Sequence, residues 1–116
     1  MSSIVRIDAG VRMSQAVVAN GFIFLAGQVA NDTSQDVEGQ TQQILAEIDR
    51  LLATVDADKR HILTANVYLA DIGDFAAMNR AWDAWVADDA KPARATIEAK
   101  LAAPEYRVEI QVTALA

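Results

Sequence analysis

The last part of the chain alternates with a period of two. In residues 93–100, Ala93, Ala95, Ile97 and Ala99 alternate with Arg94, Thr96, Glu98 and Lys100. In residues 107–114, Val108, Ile110, Val112 and Ala114 alternate with Arg107, Glu109, Gln111 and Thr113. Successive side chains of a strand point to opposite faces, so each segment reads as a strand with one apolar face. A sheet made of such strands needs cover on one side only. On this reading Ala95 and Ile97 face the cover, while Arg94 and Thr96 face the open side. A direct hairpin of the two strands would oppose Glu98 and Glu109. Like charges facing each other are unfavourable, so the two strands are expected not to be neighbours.

The cover comes from two segments of helical period. Val37, Thr41, Ile44, Leu45, Ile48, Leu51, Leu52 and Val55 recur every three or four residues between Asp36 and Val55, the pattern of an amphipathic helix. Thr33 or Ser34 is the expected cap. A second helix is expected from Gly73-Asp74 onward, with Asp74 as N-cap and a stripe of Phe75, Met78, Trp82, Trp85 and Val86. Residues 3–7, 14–19, 22–29 and 62–70 have strand character. Asn20-Gly21, between two of these runs, is the signature of a two-residue hairpin whose central positions both take positive φ. The order is βββαβαββ: an α+β fold with a single mixed β-sheet and two helices on one face.

Length and composition narrow the chemistry. At 116 residues the chain is expected to form one domain, residues 1–116. It has no cysteine and one histidine, His61, which excludes thiol nucleophiles, thiolate metal sites and multi-histidine metal sites. No phosphate loop, metal motif or nucleophile elbow occurs. The net charge of −6, with 10 Lys and Arg against 16 Asp and Glu, argues against nucleic-acid binding, whose affinity comes from neutralising phosphates. An anionic ligand must be caught by one well-placed cation. No run of about 18 apolar residues is present, so no membrane span is expected. The stretch Met1-Ser2-Ser3-Ile4-Val5-Arg6 lacks the apolar core of a secretory signal. The expected location is the cytoplasm.

Arg94 follows Pro92, which fixes the backbone entering the strand. Its planar guanidinium can grip a carboxylate through two parallel hydrogen bonds, and Thr96 lies on the same face about 7 Å further on. The alternative is an arginine in a surface salt bridge beside a β-forming threonine. Glu109 could orient or deprotonate a water, or simply be a solvated strand residue. Gly27, after an apolar strand, marks either a close approach to the backbone or a plain strand end. Asn79 follows Met78 on the second helix and bonds locally or caps a neighbour. Trp82 and Trp85 are spaced for packing, and His61 is structural or solvated.

Taken together, several segments resemble the RidA/YjgF family over nearly the whole chain. They are Ser14-Gln15-Ala16-Val17, Leu25-Ala26-Gly27-Gln28-Val29, Gln40-Thr41, Val67-Tyr68-Leu69-Ala70-Asp71, Asp74-Phe75-Ala76-Ala77-Met78-Asn79, Pro92-Ala93-Arg94 and Val108-Glu109-Ile110. The later part is most similar to a branch with tryptophans in the second helix. The resemblance implies a chorismate-mutase-like fold, a homotrimer with clefts at the subunit interfaces, and hydrolysis of reactive 2-imino acids to 2-keto acids and ammonia without a cofactor. It implies that Arg94 binds the substrate carboxylate, that Glu109 positions the attacking water, and that Gly27, Thr96, Asn79 and Met13 line or adjoin the cleft. Relatives often carry a cysteine where this chain has Thr96 and an aromatic where it has Met13. Three other functions compete. A non-catalytic, carboxylate-binding or regulatory trimer would use the same clefts. Ribonuclease activity is attributed to some relatives, and the acidic chain argues against it. A chorismate-mutase-like reaction shares only the fold and ranks last.

Overall fold

A computed structural model describes residues 3–116; Met1 and Ser2, at the head of the stretch read above for a signal, lie outside the described residues. Six strands and two α-helices form one sheet with its cover. The strands are β1 (Val5–Ile7), β2 (Ala16–Ala19), β3 (Phe22–Leu25), β4 (Ile62–Leu69), β5 (Ala93–Glu98) and β6 (Val108–Leu115). The helices are α1 (Val37–Ala53) and α2 (Phe75–Trp85). The sheet order is β1-β2-β3-β6-β4-β5, mixed because β4 and β5 run parallel while the other neighbours are antiparallel. As the opposed glutamates suggested, β5 and β6 are not neighbours: β4 lies between them.

The Asn20-Gly21 hairpin closes as expected, with φ of 53° at Asn20 and 80° at Gly21, the positive pair of a type I′ turn. Strand β3 is shorter than its apolar run. It ends at Leu25, and the chain rejoins the sheet only where the Gln28 backbone pairs with Ile110. Helix α1 is capped by Asp36, not by Thr33 or Ser34: the Asp36 carboxylate accepts from the Gly39 amide at 2.8 Å. Ser34 is occupied in a separate turn, giving its amide and hydroxyl to Asp32 at 3.1 and 2.6 Å. Asp74 does precede α2, but its side chain caps nothing there. Its carboxylate accepts from Arg107 at 2.8 Å, while Asp71 caps the short 3₁₀ turn Ile72–Asp74 ahead of the helix. His61 is structural, its ring accepting from the Asp58 amide at 3.1 Å.

Both helices pack on one face of the sheet. Ile44, Ile48, Leu51 and Leu52 of α1 and Met78 and Trp82 of α2 meet Ile23, Leu25, Val67, Leu69, Val108, Ile110 and Val112 in one core. Each fully buried aliphatic side chain there contributes about 1.5–3 kcal/mol over its exposed state. Gln40, wholly buried on α1, ties the helix to the loop that leads into β6. Its amide nitrogen donates to the Glu105 carbonyl at 3.1 Å, and its oxygen accepts from the Arg107 amide at 3.0 Å. A buried amide satisfied on both ends holds the entry to the strand that carries Glu109.

The facing of β5 is the reverse of the sequence expectation. Arg94 pairs with Ala65 and Thr96 with Val67, both buried on the helix side, whereas Ala95 and Ile97 pair with Asn66 and Tyr68 on the open side. The alternation holds; the assignment of its two faces does not. The open face carries apolar side chains of its own, with Phe22, Phe24, Ile97 and Leu115 each 40–52% exposed. Hydrophobicity therefore could not tell which side of this edge strand met the helices.

Candidate functional site

Two clusters of polar groups form at different places on the sheet. The first sits where the start of β5 passes beneath α2. Arg94 donates through Nη1 to the Asn79 side-chain oxygen at 2.8 Å and lies 3.9 Å from the Met78 sulfur. Its guanidinium carbon is 5.0 Å from the centre of the Trp82 ring and 5.7 Å from that of Phe75. A cation over an aromatic face, partly removed from water, gains about 0.5–2 kcal/mol. Among the described residues no carboxylate lies within 4.0 Å of Arg94. Burial pushes its pKa below the ordinary arginine value, with Asp83 acting in the opposite sense. Desolvation penalises the charged form, yet a guanidinium stays charged at neutral pH. Arg94 is thus a half-buried cation whose charge is not neutralised. The salt-bridge alternative is excluded among the described residues.

Thr96 follows on the same face. Its hydroxyl is buried and has no hydrogen-bond partner among the described residues. Such a group costs about 1–3 kcal/mol unless something pairs with it.

The second cluster is on the open face of the sheet. Glu109 of β6 is paired with Tyr68 of β4, and the two line a depression with Ala99, Lys100, Leu101 and Ala102. Gly27 lies directly against this carboxylate. A Cβ on Gly27 would sit 2.1 Å from a Glu109 oxygen, so the side chain uses room that only glycine leaves. Both readings of Gly27 hold at once: the strand ends before it, and a side chain approaches its backbone. The backbone pairing of Gln28 with Ile110, at 2.8 and 3.1 Å, brings the two residues together. Met13, 49% exposed, stands just before Gln15, whose carbonyl accepts from Ala26 at 2.9 Å. No contact ties Met13 to either cluster among the described residues; its carbonyl accepts from the Gly10 amide at 2.8 Å.

Arg94, Asn79 and Thr96 come together, and so do Glu109 and Gly27, but the two groups stay apart. Arg94 and Thr96 share the helix side with Ala65 and Val67, and Glu109 shares the open side with Tyr68. Within one chain the sheet separates the cation from the carboxylate.

The sequence reading did not assign Phe75 and Trp82 to the site. Phe75, Asn79 and Trp82 stand at i, i+4 and i+7 of α2 and share one stripe. A polar Asn79 inside an aromatic stripe was the available signal that this face meets a polar partner.

A family model described as Endoribonuclease L-PSP matches residues 3–116. A RutC family protein of Haemophilus ducreyi is 52% identical over 111 residues, covering 96% of this chain and 95% of the relative. The RutC family protein YoaB of Escherichia coli is 45% identical over 112 residues, with 97% of each chain covered. The crystal structure of a YjgF-family protein of Neisseria meningitidis superposes with a TM-score of 0.95 at 50% identity, covering 97% of this chain and 94% of that one. With matches that run through both clusters and nearly end to end, the chain belongs to the RidA/YjgF family.

Proposed function

We propose that this protein is a cytoplasmic hydrolase that converts 2-imino acids to 2-keto acids and ammonia, working as a trimer whose clefts lie between subunits. The observation that carries the reading is the state of Arg94, a half-buried, oriented guanidinium with no neutralising carboxylate among the described residues. A small carboxylate supplies the missing charge and fits the planar fork. A cysteine-free chain has no need of an oxidising compartment.

The division of the polar groups supports the assembly. A substrate held by Arg94 on one side of the sheet meets Glu109 only if that carboxylate comes from another copy. The open face, with its exposed Phe22, Phe24, Ile97 and Leu115, has the apolar character of a surface that another subunit covers. The trimeric count rests on the family resemblance.

The chemistry asks little of the protein. An imine carbon is already electrophilic, so no covalent intermediate is required. Arg94 fixes the carboxylate and hence the plane of the imine. Glu109 takes a proton from water as the oxygen attacks C2 and passes it to the imine nitrogen, giving the carbinolamine. It then takes the hydroxyl proton and delivers it to the same nitrogen as the C–N bond breaks and the C=O bond forms. The imine and one water become the keto acid and ammonia. Orientation of the two reactants can contribute several kcal/mol, and positioned proton transfer about 10²–10⁴-fold.

The endoribonuclease in the description of the matching family model is not the reading favoured here. A chain of net charge −6, with 10 Lys and Arg against 16 Asp and Glu, is poorly suited to neutralising RNA phosphates.

The test couples an amino-acid oxidase or dehydratase to the protein and follows keto-acid or ammonia release. Arg94→Ala should lower kcat/KM at least about 100-fold, with Arg94→Lys recovering only part because lysine restores charge without the fork. Glu109→Gln should slow turnover about 10²–10⁴-fold and leave carboxylate binding nearly unchanged. A non-catalytic carboxylate-binding trimer would instead bind 2-keto acids without accelerating imine loss. Wild-type hydrolysis by properly assembled Arg94→Ala protein would remove the reading.

A further inference from the structure

Four other arginines have carboxylate partners: Arg50 bridges Glu47 and Asp8, Arg60 binds Asp89, Arg80 binds Glu38, and Arg107 binds Asp74. Arg94 has ring faces and an amide in their place. One stripe of α2 supplies the hydrogen bonds and ring contacts of its side chain among the described residues: Phe75, Met78, Asn79 and Trp82. A carboxylate would hold the guanidinium as firmly, but it would cancel the charge and occupy the in-plane N–H groups. A ring face attracts the cation without cancelling its charge and without occupying its N–H groups in pairs, as a carboxylate does. Asn79 takes Nη1, while Nε and Nη2 make no hydrogen bond among the described residues. These are the two adjacent donors that a carboxylate grips as a pair.

We propose that Trp82, assisted by Phe75, is a positioning residue for Arg94: the rings hold the guanidinium in place of a counter-carboxylate, so that its charge and its Nε–Nη2 edge stay available to an incoming carboxylate. The inference rests on the reading that Arg94 receives the substrate carboxylate, and it adds what keeps that arginine competent. Asn79 then acts by fixing the orientation of the guanidinium.

Two readouts on the assembled protein test this. The first is the Nε–Hε NMR resonance of Arg94 in the ligand-free state, assigned by its loss in Arg94→Lys. The second is the affinity for pyruvate, titrated on the same resonance. Ring currents should displace the wild-type resonance from its position in a free arginine. Trp82→Leu should move it back and weaken pyruvate about tenfold or more, whereas Trp82→Phe, which keeps a ring, should recover most of the affinity. In turnover the Trp82→Leu loss should fall on KM, with kcat changed less than about threefold, as expected for a contact that serves binding. Trp82 is 6% exposed and part of the core, so Trp82→Leu can compromise folding. Phe75, at 42% exposed, supplies the second variant: Phe75→Leu should shift the resonance and weaken pyruvate about threefold with the fold intact. Folded Trp82→Leu protein that matches Trp82→Phe in both readouts overturns the proposal. So does Phe75→Leu with unchanged resonance and affinity where Trp82→Leu does not fold, or wild-type protein whose Arg94 resonance ignores pyruvate. Ring-dependent pyruvate binding by a protein that hydrolyses no imine would sink the catalytic reading and leave this inference standing.

Discussion

Gly27 and Glu109 show how a site can depend on the absence of a single methyl group. An added Cβ would stand 2.1 Å from the Glu109 carboxylate oxygen and 3.0 Å from its carboxyl carbon. The backbone of Gly27 is not in the left-handed region, so alanine meets no strain of its own, and the obstacle is the movable end of a glutamate. Gly27→Ala should therefore fold with near wild-type thermal stability, yet displace the carboxylate by an ångström or more and slow imine hydrolysis about 100-fold. Thermal melts and the coupled assay on the same preparation check both halves; an undiminished rate would mean that the present placement of Glu109 is not used. From sequence, Arg94, Glu109, Gly27, Thr96, Asn79 and Met13 were legible as candidates through the resemblance. Their grouping into Arg94–Asn79–Thr96 and Glu109–Gly27 was not, because it depends on strand order and on the gap after Leu25.

The elements were legible where period and turn chemistry agreed. The Asn20-Gly21 hairpin and the two helical stripes lie where their patterns put them. Strand β3 stops short of its apolar run, α2 starts without the expected cap because Arg107 takes the Asp74 carboxylate, and two further readings failed. Ser34 looked like a cap but is taken by Asp32, leaving the role to Asp36. Strand β5 was turned over because the hydrophobic side of an edge strand was assumed to face the helices, whereas here it joins the apolar side chains of the open face. Long-range polar ties such as those of Gln40 carry no local signature at all. Gln40 is fully buried and satisfies the Glu105 carbonyl and the Arg107 amide across 65 and 67 positions of sequence. Gln40→Leu should cost about 1–3 kcal/mol in denaturant unfolding, since it leaves two part-buried backbone groups without their partner. A loss below about 0.5 kcal/mol would show that water replaces the side chain.

For the whole molecule, the separation of Arg94 and Glu109 by the sheet has a consequence that no single-chain property tests. If one substrate is served by the arginine of one subunit and the carboxylate of another, the isolated chain is incomplete. Light scattering at micromolar concentration should then give a trimer, and a stable monomer would contradict the assembly. The most direct measurement is complementation. Arg94→Ala and Glu109→Gln proteins, each assembled alone, should be nearly inactive. Mixed at equal ratio through unfolding and refolding, they form trimers in which some clefts combine an intact Arg94 from one subunit with an intact Glu109 from its neighbour. Random assembly makes about one cleft in four complete, so imine hydrolysis should rise to about a quarter of the wild-type rate. Verified mixed trimers that stay as inactive as the parents would contradict a site shared between subunits.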